Sequence, residues 1–522
     1  MTGLVRDGYS LATFPVWIYS RRHGEQHPPI LSRIGGALQA IDSLGVFWLA
    51  GEEGDQLSGR VQFEPGRSGV KLSLVGIFDR EDNSEGEANL RIFGWIGANQ
   101  VTLEGCFRKG SKEPANGVRE SRYYANRMFI GHHLEAEAHK FTHAEATFSN
   151  ADLWVGRTGI RAKYSDQHPV ADGGTIYSSM LIKIRQETSP YGRGTVGLRH
   201  SWETDGDQIS DASIKQWPVL TFSYDEPQEL ETILADVRRV QNLITFCVDT
   251  PVILDKLTLQ RNGINETSIN GRDMGFPKSI EFVASVIPYT KPESRKPHHE
   301  HRMLLTFDQL GGLPAIARWL DVSPQFDRAI DSLLSVKYAE DMFSENRFLN
   351  ATYGAEAYHR LTQNFTYMDQ SEFASILEAC LSATPEKHRE WLEGKIGSSN
   401  DPSLVKRLSR LAGRAGPANR PLIGDKDRWA QTISRVRNEL THINSTSPNF
   451  SGSHLLYLTE SVFAVVRTCM LLDCGVPIEA VTVKAESDMV FWYRTRLTEA
   501  INQVRDELRR LDAHRKSLRD AS

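Results

Sequence analysis

The chain has 522 residues, 40% hydrophobic and 24% charged, a composition that excludes a single small module, a fibrous chain and a disordered one. Its net charge of −5 gives no global attraction to polyanions, so any contact with nucleic acid requires a local basic surface. Five scattered cysteines with no Cys-x-x-Cys pair argue against a disulfide framework or a zinc site, and no signal-type apolar stretch opens the chain, so the expected compartment is the reducing cytoplasm with no membrane contact.

The first half reads as β-structure. Gly69–Phe78, Leu90–Ile96, Val101–Phe107, Arg127–Ile130 and Met180–Arg185 are short, rich in Val, Ile, Leu and Phe, and separated by Gly, Asn and Asp. This pattern predicts an antiparallel sandwich or barrel-like domain. One helix interrupts it at Glu229–Phe246, where Leu230, Ile233, Leu234, Val237 and Val240 recur at helical spacing; its apolar face should pack on the sheet. Gly192 to Gly197 matches GxGxxG, but no βαβ unit surrounds it, so a hairpin or loop is expected. His132-His133 reads as a surface turn.

From Ile287 to Arg302 the sequence IPYTKPESRKPHHEHR is proline- and charge-rich, as a junction is. It divides a β-rich domain at 1–290 from an all-α domain at 303–522 through a linker at 291–302, which makes the fold class α+β and multidomain. His298, His299 and His301 fall in that linker and read as solvated. Helices are expected at Ala315–Leu320, Pro324 through Leu361, Ser371–Ser382, Lys387–Gly397, Pro402–Ala412, Lys426–His442, Ser453–Leu472 and Glu486–Arg515. The basic residues of the last helix alternate with acids and read as a solvated face or a helix contact.

The segment that carries chemistry is WAQTISRVRNELTHIN, Trp429–Asn444. Trp429, Ile433, Val436, Leu440 and Ile443 form its apolar stripe, leaving Arg437, Asn438 and His442 off the stripe near the helix end. Arg offers a permanent charge and a planar fork of donors suited to a phosphodiester, and His takes or gives a proton near neutrality. Together they could cut RNA without a metal or other cofactor: the ribose 2′-OH attacks the adjacent phosphate, His442 moves protons, and Arg437 stabilises charge on the phosphoryl oxygens. The bland alternative has Arg437 paired with Glu439 or Glu460 and His442 capping the helix. Lys406, Arg407, Arg410, Arg414, Arg420, Lys426, Arg428 and Arg435 form a dense local positive set, of which Lys426, Arg428 and Arg435 are candidate RNA contacts.

Arg437-Asn438-x3-His442, on an amphipathic helix of an α-helical C-terminal domain, resembles the HEPN superfamily of ribonucleases. GVKLSLVGIF, FGWIGANQVTLEGC and YYANRMFIGHHL, ahead of Phe141 and Trp154, look like the N-terminal domain of the ApeA-like family of anti-phage defence proteins. The resemblance implies a β-rich sensing domain followed by a HEPN bundle that is a metal-independent endoribonuclease acting in abortive infection. Arg437, Asn438 and His442 would then be catalytic, in a composite site formed by a homodimer or higher homo-oligomer and switched on by a phage-derived trigger. The competing expectation is a catalytically silent HEPN module for binding or dimerisation.

Overall fold

The first six strands close into a small barrel by pairing the last of them back with the fifth. A computed structural model describes residues 40–520 apart from 66–68, 79–88, 113–116, 136–139, 166–175, 208, 269, 285–302, 340, 364 and 443–446. The strands β1 (Ile41–Leu49), β2 (Leu57–Phe63), β3 (Val70–Val75), β4 (Leu90–Ile96), β5 (Asn99–Lys112) and β6 (Glu120–Ala125) run in the order β5-β4-β1-β2-β3-β6, and β6 pairs back with β5. Phe47, Val61, Leu72, Ile92 and Val101 are buried, as a filled barrel requires; burial alternates along β2 and β3, whereas β1, β4 and β5 also bury Trp48, Phe93 and Thr102 from their other face. Gly94 lies opposite Phe47, where a Cβ would overlap the Phe47 ring. Closure turns on the irregularity at Gly105, at φ +60: residues of β5 up to Cys106 pair with β4, and those from Phe107 on pair with β6.

The same sheet continues beyond the barrel. The further strands are β7 (Arg127–Ile130), β8 (Lys140–Phe148), β11 (Glu187–Tyr191), β12 (Gly194–Asp205), β13 (Ser213–Glu229), β14 (Leu254–Gln260) and β17 (Ile280–Ala284). Two small ribbons stand apart from it, β9 (Ile160–Ser165) with β10 (Ile176–Leu181), and β15 (Asn265–Thr267) with β16 (Asp273–Pro277). The strand expected at Met180–Arg185 is therefore centred earlier. A short helix α1 (Ala151–Val155) follows β8, and α2 (Leu230–Val248) lays Ile233, Val237 and Val240 against β8 and β13, as its spacing predicts.

The rest is helical: α3 (Phe307–Leu310), α4 (Gly312–Val322), a 3-10 turn at Ser323–Phe326, α5 (Asp327–Tyr338), α6 (Ser344–Thr362), α7 (Gln370–Ser382), α8 (Glu386–Ile396), α9 (Leu404–Ile423), α10 (Lys426–Thr441), α11 (Gly452–Asp473), α12 (Ile478–Thr482) and α13 (Asp488–Asp520). The single helix expected from Pro324 to Leu361 is in fact two, α5 and α6. Ala339 turns extended, and the Arg347 guanidinium donates to the carbonyls of Val336, Ala339 and Met342 at 2.9, 2.6 and 3.1 Å, satisfying the end of α5. The helix expected to end near Ala412 continues through a kink at Gly416, before Pro417, to Ile423.

α4 packs on β11, β12 and α2, with Trp319 Nε1 donating to the Arg239 carbonyl at 2.8 Å. At the end of α2, Asp249 accepts from Arg467 of α11 at 2.7 Å, and Lys337 pairs with Glu460 at 2.9 Å. By length and composition α11 is the one helix among the described residues that could cross a membrane, and 78% of its apolar window is buried inside the protein. It is the centre of the helical core.

Candidate functional site

α10 is built as its sequence predicts. Asp425 caps it by accepting from the backbone N–H groups of Asp427 and Arg428 at 2.9 and 2.8 Å. Trp429, Ile433 and Val436 are fully buried, Trp429 donating to Ser461 Oγ at 2.8 Å, and Leu440 is half-buried. Ile443 lies outside the described residues. The stripe fixes which side of α10 faces the core, and the candidate residues come off it at the C-terminal end.

Arg437 is half-buried, whereas Asn438 and His442 are exposed. Arg437 Nη1 donates to Asn438 Oδ1 at 3.3 Å, and its Nη2 stands 3.9 Å from Glu356 Oε2 on α6. His442 is the residue at which the helix stops (φ −117, ψ 55), with its N–H on the Asn438 carbonyl at 2.9 Å. The carboxylates nearest in sequence are engaged elsewhere: Glu439 takes a bidentate contact from Arg515 at 2.9 and 2.8 Å, and Glu460 holds Lys337. Glu356 is thus the anion that local spacing could not reveal. It also binds Arg360 at 3.0 Å, and Arg360 in turn binds Asp401 at 2.9 Å.

The RNA-contact candidates sit differently. Lys426 pairs with Asp427 at 3.1 Å and, at about 1.5 Å rise per residue, lies roughly 16 Å along α10 from Arg437. Arg428 and Arg435 face α13, donating to Asn502 at 2.5 Å and Asp512 at 2.8 Å. With Glu439–Arg515 these contacts make the last helix a packed partner of α10. The wider basic set is partly structural. Arg407 is buried against the Pro402 carbonyl and His359 Nδ1, Arg414 pairs with Asp473 and Tyr358, and Arg410 lies 3.2 Å over the Phe365 ring. Burial, then the charge of Arg407, holds His359 down to about pKa 4.

The competing motifs resolve plainly. Gly192 to Gly197 forms the β11–β12 hairpin, where Tyr191 pairs with Gly194. His133 is more than a surface turn: it packs against the rings of Trp48, Phe93 and Trp95 and its Nε2 lies 2.9 Å from the Gly94 carbonyl. His298, His299 and His301 lie outside the described residues. Among the described residues no group of three or more His, Cys, Asp or Glu side chains is placed to hold a metal ion.

Comparison with known families matches two models to this chain. Residues 42–319 match ApeA N-terminal domain 1, and residues 349–480 match Apea-like HEPN. Searches of curated proteins and of solved structures found no match. The first model spans the barrel, the continuing sheet, α2 and most of α4; the second spans the helices that carry Glu356, Arg437 and His442. The chain belongs to the ApeA-like family of anti-phage defence proteins, in which a β-rich N-terminal domain precedes a HEPN domain.

Proposed function

We propose that the protein is a metal-independent endoribonuclease that acts in abortive infection, with Arg437, Asn438 and His442 as its catalytic residues. The observation that carries this reading is the placement of all three at the accessible end of α10, with Arg437 beside Glu356 inside the region matched to HEPN. The ribose 2′-oxygen attacks the adjacent phosphorus and the bond to the 5′-oxygen breaks, leaving a 2′,3′-cyclic phosphate and a 5′-hydroxyl. One imidazole takes the 2′-OH proton and a second, protonated, gives a proton to the leaving oxygen. Arg437 stabilises the charge on the phosphoryl oxygens through its planar fork of donors. Asn438 holds the guanidinium plane through its Oδ1.

One chain supplies a single Arg and a single His from this motif, so the complete site is composite. A twofold homodimer that faces two α10 ends together would bring two His442 and two Arg437 to one groove. The protein works in the cytoplasm, and its β-rich half receives a phage-derived trigger. Purified protein incubated with total RNA tests the reading: His442→Ala and Arg437→Ala should each abolish cleavage and cell toxicity while the chain stays folded, and cleavage retained by both variants overturns the assignment.

A further inference from the structure

The ribbon β9–β10 pairs only with itself among the described residues, and its side chains from Arg161 to Tyr164 and from Tyr177 to Met180 are exposed. A lone two-stranded ribbon is marginal in water, so this one is held from below. Gln216 Oε1 on β13 accepts from Gly159 N at 2.7 Å, and Gly159 O accepts from Ile182 N at 2.8 Å. Gly159 is crowded there by the Ile182 carbonyl, which leaves no room for a Cβ. The clamp fixes the root and leaves both faces open to solvent.

Those faces carry two kinds of group. Tyr164 and Tyr177 are direct cross-strand partners, their ring centroids 4.9 Å apart, yet they remain 72% and 57% exposed. Trp202, 58% exposed, is the cross-strand partner of Gln216, so its ring leaves the sheet on the face that holds the ribbon root. Arg161 and Lys163 alternate with the tyrosines and point to the ribbon's other face, and Lys183 and Arg185 follow its root. The described residues between 157 and 186 include Arg157, Arg161, Lys163, Lys183 and Arg185 and no Asp or Glu. With Asp166 and Asp172 in the connecting segment, the stretch has five basic and two acidic residues, a net charge of +3 in a chain of net −5. Arg157 is spent on Glu187 and Asp308. Arg161 donates to the backbone carbonyls of Thr158 and Ile160, and Lys163, Lys183 and Arg185 have no carboxylate partner among the described residues.

Exposed aromatic faces interleaved with cations that no described carboxylate holds are the chemistry of single-stranded nucleic acid: bases stack on the rings whatever their sequence, and long basic side chains meet the phosphates. Neighbouring strands lie about 4.8 Å apart, so a ribbon of two is narrow enough for Arg161 and Lys163 to reach round its edge to the backbone of a strand whose bases lie on Tyr164 and Tyr177. We propose that the β9–β10 ribbon of the N-terminal domain, with Trp202 at its root, is a sequence-tolerant binding surface for single-stranded RNA, separate from the α10 site. The choice of RNA over DNA rests on the ribonuclease reading; the surface itself does not.

The test is fluorescence anisotropy of a labelled oligouridylate of about 16 nucleotides with the full-length His442→Ala chain, which on the α10 reading leaves the probe intact. Tyr164→Ala/Tyr177→Ala and Arg161→Glu/Lys163→Glu should each raise Kd by about tenfold or more, while Tyr164→Phe/Tyr177→Phe binds as the parent does. Unchanged binding in both disruptive variants, or no binding by the parent, overturns the proposal. Tighter binding of oligothymidylate than of oligouridylate overturns the choice of RNA, and phage defence lost when the same substitutions are made in the otherwise wild-type chain, with RNA binding unchanged, gives the surface to a protein partner instead. If the α10 assignment fails, the chain shortens the probe and its anisotropy falls with time, an outcome distinct from unchanged or absent binding.

Discussion

Arg437 on α10 and Glu356 on α6 face each other across a helix pair, guanidinium nitrogen to carboxylate oxygen at 3.9 Å, with Arg360 on the same carboxylate. The contact is long and partly exposed, so its worth to stability is small, about 0.5 kcal/mol. Its consequence is orientation: it restrains the side chain that, on the proposed ribonuclease reading, would meet a phosphoryl group. Glu356→Gln should therefore lower the kcat for RNA cleavage by about tenfold while leaving the melting temperature almost unchanged. A variant with wild-type kcat removes Glu356 from the site.

Arg437→Lys keeps the charge and loses the planar fork of donors. Cleavage should fall by roughly a hundredfold, the loss of an oriented transition-state contact, with substrate binding weakened far less. Steady-state rates on one defined RNA measure the split; a variant cutting within a few-fold of wild type would show that only the charge matters.

Gly94→Ala should destabilise the barrel by about 1–3 kcal/mol, because the added Cβ overlaps the Phe47 ring in a filled interior. Phe47→Leu in the same chain should return part of that loss. Urea unfolding of both variants checks it, and an additive double variant would mean that the two residues do not compete for one space.

His359 is fully buried on α6, and burial together with Arg407, Arg410 and Arg360 lowers its pKa from 6.5 to about 4. The unfolded chain therefore takes up this proton first as pH falls. Stability is unaffected above about pH 6.5 and is lost progressively between 6.5 and 4, by up to roughly 3 kcal/mol. His359→Gln keeps an acceptor for Arg407 and does not titrate, so its unfolding free energy should change less than that of wild type between neutral pH and about pH 5. Parallel curves would remove His359 from the acid response.

What could be read from the residues alone was what sequence neighbours decide. The stripe of Trp429, Ile433 and Val436 and the end of α10 at His442 are local signals, and each appears where its spacing puts it. Glu356 was out of reach because α6 meets α10 only in the folded bundle. The break between α5 and α6 has neither Gly nor Pro to mark it; the guanidinium of Arg347 makes it tolerable from the following helix. Barrel closure was equally silent, since β5 reads as one strand until Gly105 lets it change partners. His133 looked like part of a polar turn, but three aromatic rings from β1 and β4 enclose it.

The most direct measurement is the cleavage of total RNA by purified wild type and His442→Ala in EDTA, with and without extract from phage-infected cells, and with end-group analysis of the products. The account predicts cutting by wild type alone, leaving 2′,3′-cyclic phosphates and 5′-hydroxyls. Equal cutting by both proteins, or 3′-hydroxyl products, would contradict it.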